Sequence, residues 1–357
     1  MSDPIAVPGL GVAPCAHGPP PATGAIRREP ADFVVDEILG FEPDGAGNHG
    51  LLVVEKRGAN TGWVAAQLAR HAGVAVREVG FSGHKDRHAL TTQAYSLPLP
   101  ALFDVAQCLQ WQGEGYAVRA AYRHGRKLRP GSHRANRFEL RIRDLRGDHD
   151  AIEARLAAIR ERGVPNYFGP QRFGREGGNL RRAMAWAAGD AGPRDRSQRS
   201  FTLSAARSHL FNAVLATRVA RGDWNRLLPG EAVMLDGRRS FFIAESADAA
   251  LEARRVAMDV HPSGPLPGRG ESPATGPARE LEDSMIAPHA ELVVLLTSER
   301  MDHERRSLRL PVRELEWSFG ADDTLVLRFV LPRGTFATAV LHEVLADAWD
   351  AGEGGEQ

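Results

Sequence analysis

The chain has 357 residues, 43% of them hydrophobic and 25% charged, enough to bury a sizeable core over two domains and too apolar to be disordered. No run approaches the roughly 18 to 20 apolar residues of a membrane span, and the first 24 residues lack a signal peptide's charged start and apolar stretch, so a soluble, cytoplasmic protein is expected. The 45 basic and 45 acidic residues cancel, which excludes a protein that is basic all over but leaves room for a local basic surface.

Residues 1–24 are rich in proline, glycine and alanine and read as a flexible leader. Strands are predicted at Phe33–Ile38 and Leu51–Lys56, parted by a turn-rich stretch with Pro43, Gly45, Gly47 and Gly50. Asn60 and Thr61 offer N-caps for a helix through Trp63, Val64 and Leu68, closed by Gly73. A strand at Val79–Ser82 leads into Gly83–Gln93, which follows neither a helical nor a strand period and reads as a loop. Leu102–Trp111 is predicted as a helix. Asn136–Arg143 alternates cleanly between apolar and charged residues and reads as a half-buried strand.

Ile152, Leu156 and Ile159 mark a helix that stops at Gly163. Helices around Leu180–Ala188 and Ser204–Ala220 and a hairpin across Asp236-Gly237 follow. The proline-rich stretch 261–280 reads as a surface linker or long loop. Two strands, Val312–Phe319 and Thr324–Leu331, and a helix from Phe336 to Trp349 complete the chain. Strands and helices without a βαβ rhythm predict an α+β fold.

Chemistry concentrates in a few places. The loop sets Asp86 between Lys85 and Arg87, beside His84 and His88; cations on either side hold a carboxylate ionised, fit to act as nucleophile or base, though a solvated polar turn has the same composition. Arg119–Arg143 carries eight arginines and Lys127 against one acid, Glu139. Such a tract suits a phosphate backbone, or is simply the exposed face of a sheet. Within it Asn136 and Phe138 lie two apart and so share a strand face, an amide beside a ring as in a nucleobase pocket, although a core role would equally place Phe138 there. Only three basic residues are lysines, Lys56, Lys85 and Lys127, and the compact ammonium group draws attention to the last two. The two cysteines, Cys15 and Cys108, are isolated and fit neither a disulfide framework nor a zinc site.

Taken together these segments resemble the TruD-type tRNA pseudouridine synthases. The resemblance rests on Gly83-x-Lys85-Asp86-x-x-Ala89-x-Thr91-x-Gln93, on Phe33-Val-Val-x-Glu37 with Gly40-Phe41-x-Pro43, and on Asn60-Thr61. It extends through Val164-Pro-Asn-Tyr-Phe-Gly169 with Gln171-Arg-Phe-Gly174, and Leu203-Ser-Ala-Ala-Arg207 with Leu210-Phe-Asn212, departing at Arg134-Ala135, where Lys-Gly is expected. It implies a catalytic domain on a mixed, largely antiparallel sheet over residues 25–162 and 310–350, an inserted α/β family-specific domain over 163–309, and a tail at 351–357. It further implies isomerisation of uridine 13 of tRNA to pseudouridine, with no cofactor and no metal. Asp86 would be the catalytic residue. Phe33, Asn136, Phe336, Lys85 and Phe138 would bind the extruded uridine, with Lys85 either as the cation beside Asp86 or, since successive side chains of an extended loop point apart, as a phosphate contact. Arg123, Arg126, Lys127 and Arg129 would bind the tRNA backbone. The partner implied is tRNA alone, with neither membrane nor protein partner, and the chain is expected to act as a monomer. The rival readings are an RNA-binding protein that has lost its chemistry and a metal-dependent nuclease, which would need clustered acids around Asp86.

Overall fold

A computed structural model describes the backbone of residues 6–7 and 11–350 and the side chains from Val12 to Ala346; the expected tail at 351–357 lies outside the described residues. One large mixed sheet organises the fold. Its strands are β1 (Ala22–Ile26), β2 (Phe33–Ile38), β3 (His49–Arg57), β4 (Leu90–Pro98), β5 (Tyr116–His124) and β6 (Ala135–Gly147) from the first half of the chain. Helix α1 (Thr61–Ala72) interrupts them, and α2 (His149–Arg162) follows β6. The path across the sheet ends on strands from near the other end of the chain. Arg313–Gly320 and Thr324–Pro332 continue it beyond β6, and Leu345–Asp350 pairs parallel to β1. Apart from that pair and β2 with β4, which is also parallel, the ladders are antiparallel.

Between β6 and those last strands the chain makes a separate set of elements. A short strand β7 (Val164–Pro165) opens it, and α3 (Gly178–Ala187) and the long α4 (Arg196–Ala220) follow. Next come β8 (Glu231–Leu235), β9 (Phe241–Ala244), α5 (Ala249–Val256), β10 (Val260–His261) and β11 (Ser263–Leu266). Then α6 (Gly276–Ile286), α7 (Ala290–Ser298), β12 (Glu304–Ser307) and β13 (Arg309–Leu310) lead back. The segment is closed at its root, because β7 and β13 pair antiparallel, Val164 opposite Leu310. The returning strands are β14 (Arg313–Gly320) and β15 (Thr324–Pro332), then α8 (Ala337–Val344) and β16 (Leu345–Asp350).

The alternation in β6 buries Phe138, Leu140 and Ile142 against Ile152, Leu156 and Ile159 of α2 and Val340 and Val344 of α8. A second core sits under α1, whose Val64 and Leu68 meet Leu52, Val54, Tyr95 and Leu97. Gly73 ends α1 in the left-handed conformation, φ 67°, which glycine adopts without a Cβ penalty. Among the described residues no helix is long and apolar enough to cross a membrane.

Several expectations are corrected. The segment composition assigns to a leader is packed from Ala13 onward: buried Glu343 accepts the amides of Ala16 and His17 at 2.7 and 3.1 Å, and residues 22–26 form β1. Proline and glycine signal the lack of regular hydrogen bonding, not the lack of tertiary contacts. The proline-rich stretch is likewise interior at its start, with His261 and Ser263 buried and β11 paired to β12. There Arg305 donates to Ser263 O and ion-pairs with Glu282 at 2.7 Å. The expected helix at 102–111 is a 3-10 helix over Val105–Gln110, and Leu102 is wholly exposed. The last helix ends at Val344, where the chain turns extended to form β16.

Candidate active site

The pleat brings the polar residues of four adjacent strands to one face of the large sheet. Opposed pairs place Asn136 beside Glu37 and Phe138 beside Val35, Val35 beside Thr91, and Thr91 beside Lys56 with Gln93 beside Val54. Since residues two apart share a face, Phe33, Glu37, Lys56, Thr91, Gln93, Asn136 and Phe138 all belong to it. Leu90 onward is strand β4, so the irregular loop is shorter than its composition predicts and ends at Ala89.

That loop lies tethered across the face. The Lys85 amide donates to Thr61 Oγ1 at 3.0 Å, the Thr61 hydroxyl donates to Gln93 Oε1 at 2.9 Å, and Gln93 Nε2 donates to Gly83 O at 3.1 Å. Thr61 begins α1 but spends its hydroxyl on the loop, and Asn60 makes no side-chain cap. Lys56, 1% exposed, donates upward to the carbonyls of Ala59, Lys85 and Asp86 at 3.0, 3.4 and 2.8 Å.

Side chains leave the loop in opposite directions. The Lys85 ammonium lies 2.9 Å from Glu37 Oε2 and donates to Asn136 Oδ1 at 2.7 Å, so it is not the cation beside Asp86. That cation is Arg27, whose Nη2 is 3.0 Å from Asp86 Oδ2. Asp86 Oδ1 accepts the His88 amide at 2.9 Å. Exposure separates the four charged groups: Glu37 is 1% exposed, Lys85 7% and Arg27 9%, whereas Asp86 is 29%. Only the Asp86 carboxylate is both held and open to a ligand. Burial, with Lys85 nearby, lowers the basicity of His133, whose Nδ1 is buried with no hydrogen-bond partner among the described residues.

The rings divide by environment. Phe33 is covered by the Arg27 guanidinium, 4.1 Å from the ring centroid, and meets Phe138 edge-on at 6.2 Å. Phe138 is stacked on Phe329 at 5.3 Å and belongs to the core beneath the site. Phe336 stands five residues beyond Leu331, the partner of Asn136 across β6 and β15. It is half-buried against Phe168 at 6.3 Å, with Arg172 5.7 Å from its centroid.

The four basic residues assigned to RNA differ in character. Arg123 is a staple for the loop before the 3-10 helix, donating to the carbonyls of Leu99, Pro100, Ala101 and Phe103. Lys127 donates to Arg77 O at 2.5 Å, and Arg126 and Arg129 are exposed. Sequence reasoning did not single out Arg27, Lys56 or His133. Lys56 carried the same signal as Lys85, a lysine in an arginine-rich chain, whereas nothing local marks Arg27.

The family profile for tRNA pseudouridine synthase D (TruD) matches residues 10–183 and 194–344. Curated relatives named tRNA pseudouridine synthase D include one from Nitrosococcus oceani, 48% identical over 328 residues and covering 92% of each chain. Another, from Pseudomonas putida, is 46% identical over 342 residues and covers 96% of each. A crystal structure from Methanosarcina mazei that bears the TruD name aligns with a TM-score of 0.69 over 94% of this chain and 96% of that one; at 19% identity the likeness speaks for the fold. With the loop carrying Asp86 and the strand carrying Asn136 both inside the matched segments, this chain belongs to the tRNA pseudouridine synthase D family.

Proposed function

We propose that the protein isomerises uridine 13 of tRNA to pseudouridine, with Asp86 as the catalytic carboxylate. The observation that carries this reading is the placing of Asp86: ion-paired to Arg27, fixed by the His88 amide, and partly exposed on the loop that crosses the face carrying the buried Asn136 and Phe33. A paired uridine must leave its helix to reach such a group. The ammonium of Lys85 cannot accept a hydrogen bond, so it turns the Asn136 carbonyl towards itself and leaves the Nδ2 hydrogens for a carbonyl of uracil. Phe33 and Phe336 supply rings for stacking, each such contact being worth about 1 to 3 kcal/mol.

The glycosidic link is broken and re-formed within one nucleotide, with no net change of oxidation state. Asp86 serves the cleavage and the rejoining, Arg27 keeps its charge, and Lys85 with Glu37 sets Asn136. Residues 163–309 act as the inserted domain, and the basic surface around Arg126 and Arg129 meets the tRNA backbone. The working form is a cytoplasmic monomer with tRNA as its partner.

The test is to incubate the protein with unmodified tRNA transcripts and map pseudouridine by mass spectrometry. Conversion at position 13 is expected; conversion elsewhere with position 13 untouched would overturn the substrate assignment, and no conversion in any transcript would overturn the activity.

A further inference from the structure

Lys56 sits mid-sheet in β3, 1% exposed, and among the described residues its ammonium makes no ion pair. A buried cation is costly unless its hydrogens are satisfied. Here three donors meet three main-chain carbonyls, those of Ala59, Lys85 and Asp86, at 3.0, 3.4 and 2.8 Å. Two of those carbonyls belong to the consecutive residues whose side chains part company, Lys85 towards Glu37 and Asn136, Asp86 towards Arg27. A grip on consecutive carbonyls fixes the rotation of the peptide planes between them, and so the direction in which each side chain leaves the loop. Neither Arg27 nor the His88 amide can do this, because both act on the carboxylate after its Cα is placed.

We propose that Lys56 is a positioning residue for the isomerisation: through the main-chain carbonyls of Lys85 and Asp86 it aims the Asp86 carboxylate into the site. This rests on the reading of Asp86 as the catalytic group. Removing the grip leaves the carboxylate charged and still bonded to Arg27 and the His88 amide, but lets the peptide planes beneath it rotate, and a displacement of about 1 Å at a reacting group costs on the order of 100-fold in rate.

The ammonium also titrates within reach of experiment. Burial lowers its pKa to about 8, partly opposed by the Asp86 charge and assisted by that of Lys85. The other groups in register with it are Thr91 on β4 and Tyr116 on β5, the latter hydrogen-bonded to His71 at 2.9 Å. Above about pH 8 the grip weakens as the ammonium becomes an amine.

The decisive measurements are single-turnover pseudouridine formation, tRNA binding and thermal melting on wild type, Lys56→Met, Lys56→Arg and Asp86→Asn. Lys56→Met is expected to slow turnover about 100-fold with tRNA affinity within twofold of wild type and a melting temperature lowered by only a few degrees, since the apolar chain removes a buried charge but leaves three carbonyls without their donor. Lys56→Arg, which keeps its charge at all accessible pH, is expected to restore much of the rate and to remove the wild-type fall above about pH 8. A Lys56→Met enzyme as fast as wild type would overturn the inference, as would slowing matched by lost stability with no recovery in Lys56→Arg. Should Lys56→Met not fold, the pH profiles decide: a fall above pH 8 that persists in Lys56→Arg overturns it. An active Asp86→Asn would instead bring down the reading on which the inference rests, whereas a dead Asp86→Asn beside a fully active Lys56→Met sinks the inference alone.

Discussion

Arg27 and Asp86, 59 positions apart in the sequence, meet with Nη2 3.0 Å from Oδ2, and the same guanidinium lies 4.1 Å from the Phe33 ring. One side chain therefore serves both the proposed catalytic carboxylate and a proposed stacking ring. Arg27→Met should lower single-turnover rate at least tenfold, while Arg27→Lys keeps the charge, loses the flat cover on Phe33 and falls between. Equal rates for the two variants would show that charge is not what Arg27 supplies.

Asp86→Asn preserves shape and removes the negative charge. Turnover should vanish while tRNA binding stays near wild type, because the carboxylate is 29% exposed on a loop and supports no core. Appreciable residual turnover, measured on the same preparation as binding, would remove Asp86 from the catalytic role.

The basic tract should split by function. Replacing exposed Arg126 and Arg129 together by Gln is expected to weaken tRNA binding and lower the slope of log affinity against log salt by about 1.5, with melting unchanged. Arg123→Gln should instead destabilise the protein by about 2 kcal/mol, since it releases a loop whose carbonyls it binds. A salt slope altered by Arg123→Gln but not by the double variant would reverse this assignment.

Acid should unfold the chain partly through His209. It is 0% exposed in α4, both its ring nitrogens lack hydrogen-bond partners among the described residues, and burial with His289 nearby lowers its pKa to about 4. The folded state therefore refuses a proton that the unfolded chain accepts. The stability it confers is complete above about pH 6.5 and is lost progressively as the pH falls towards 4, to a total of about 3 kcal/mol. His209→Leu should flatten that part of the melting curve against pH; an unchanged slope would assign the effect to other groups.

The elements that sequence revealed are those whose cause is local. Alternation marked the β6 strand and put Asn136 and Phe138 on one face, and Gly73 and Gly163 marked helix ends. The polar loop around Asp86 stood out by its charge alone. What could not be read depends on distant partners. That adjacent side chains of an extended loop point apart already parted Lys85 from Asp86 as one reading, but nothing local shows that the cation at Asp86 is Arg27, which arrives from the end of β1. Arg305, Ser263 and Glu282 make an interior of a stretch whose composition suggests a linker. The expected leader is held by Glu343, more than 320 positions away.

The pairing of Asn136 with Leu331 also bears on how the site comes into being. During synthesis β6 emerges long before β15, so the strand carrying Asn136 waits with one edge open for nearly 190 residues. Such an edge is a template for wrong pairing. The β7 and β13 ladder lessens the delay: once Val164 and Leu310 are joined, the intervening segment is a closed side loop and the effective distance between β6 and β15 shrinks to a few tens of residues. Completion of the face that carries Asn136 is thus tied to prior folding of the middle of the chain, and a ribosome stalled short of β15 would hold Arg27, Lys56 and His88, which bind Asp86, without the strand that flanks Asn136.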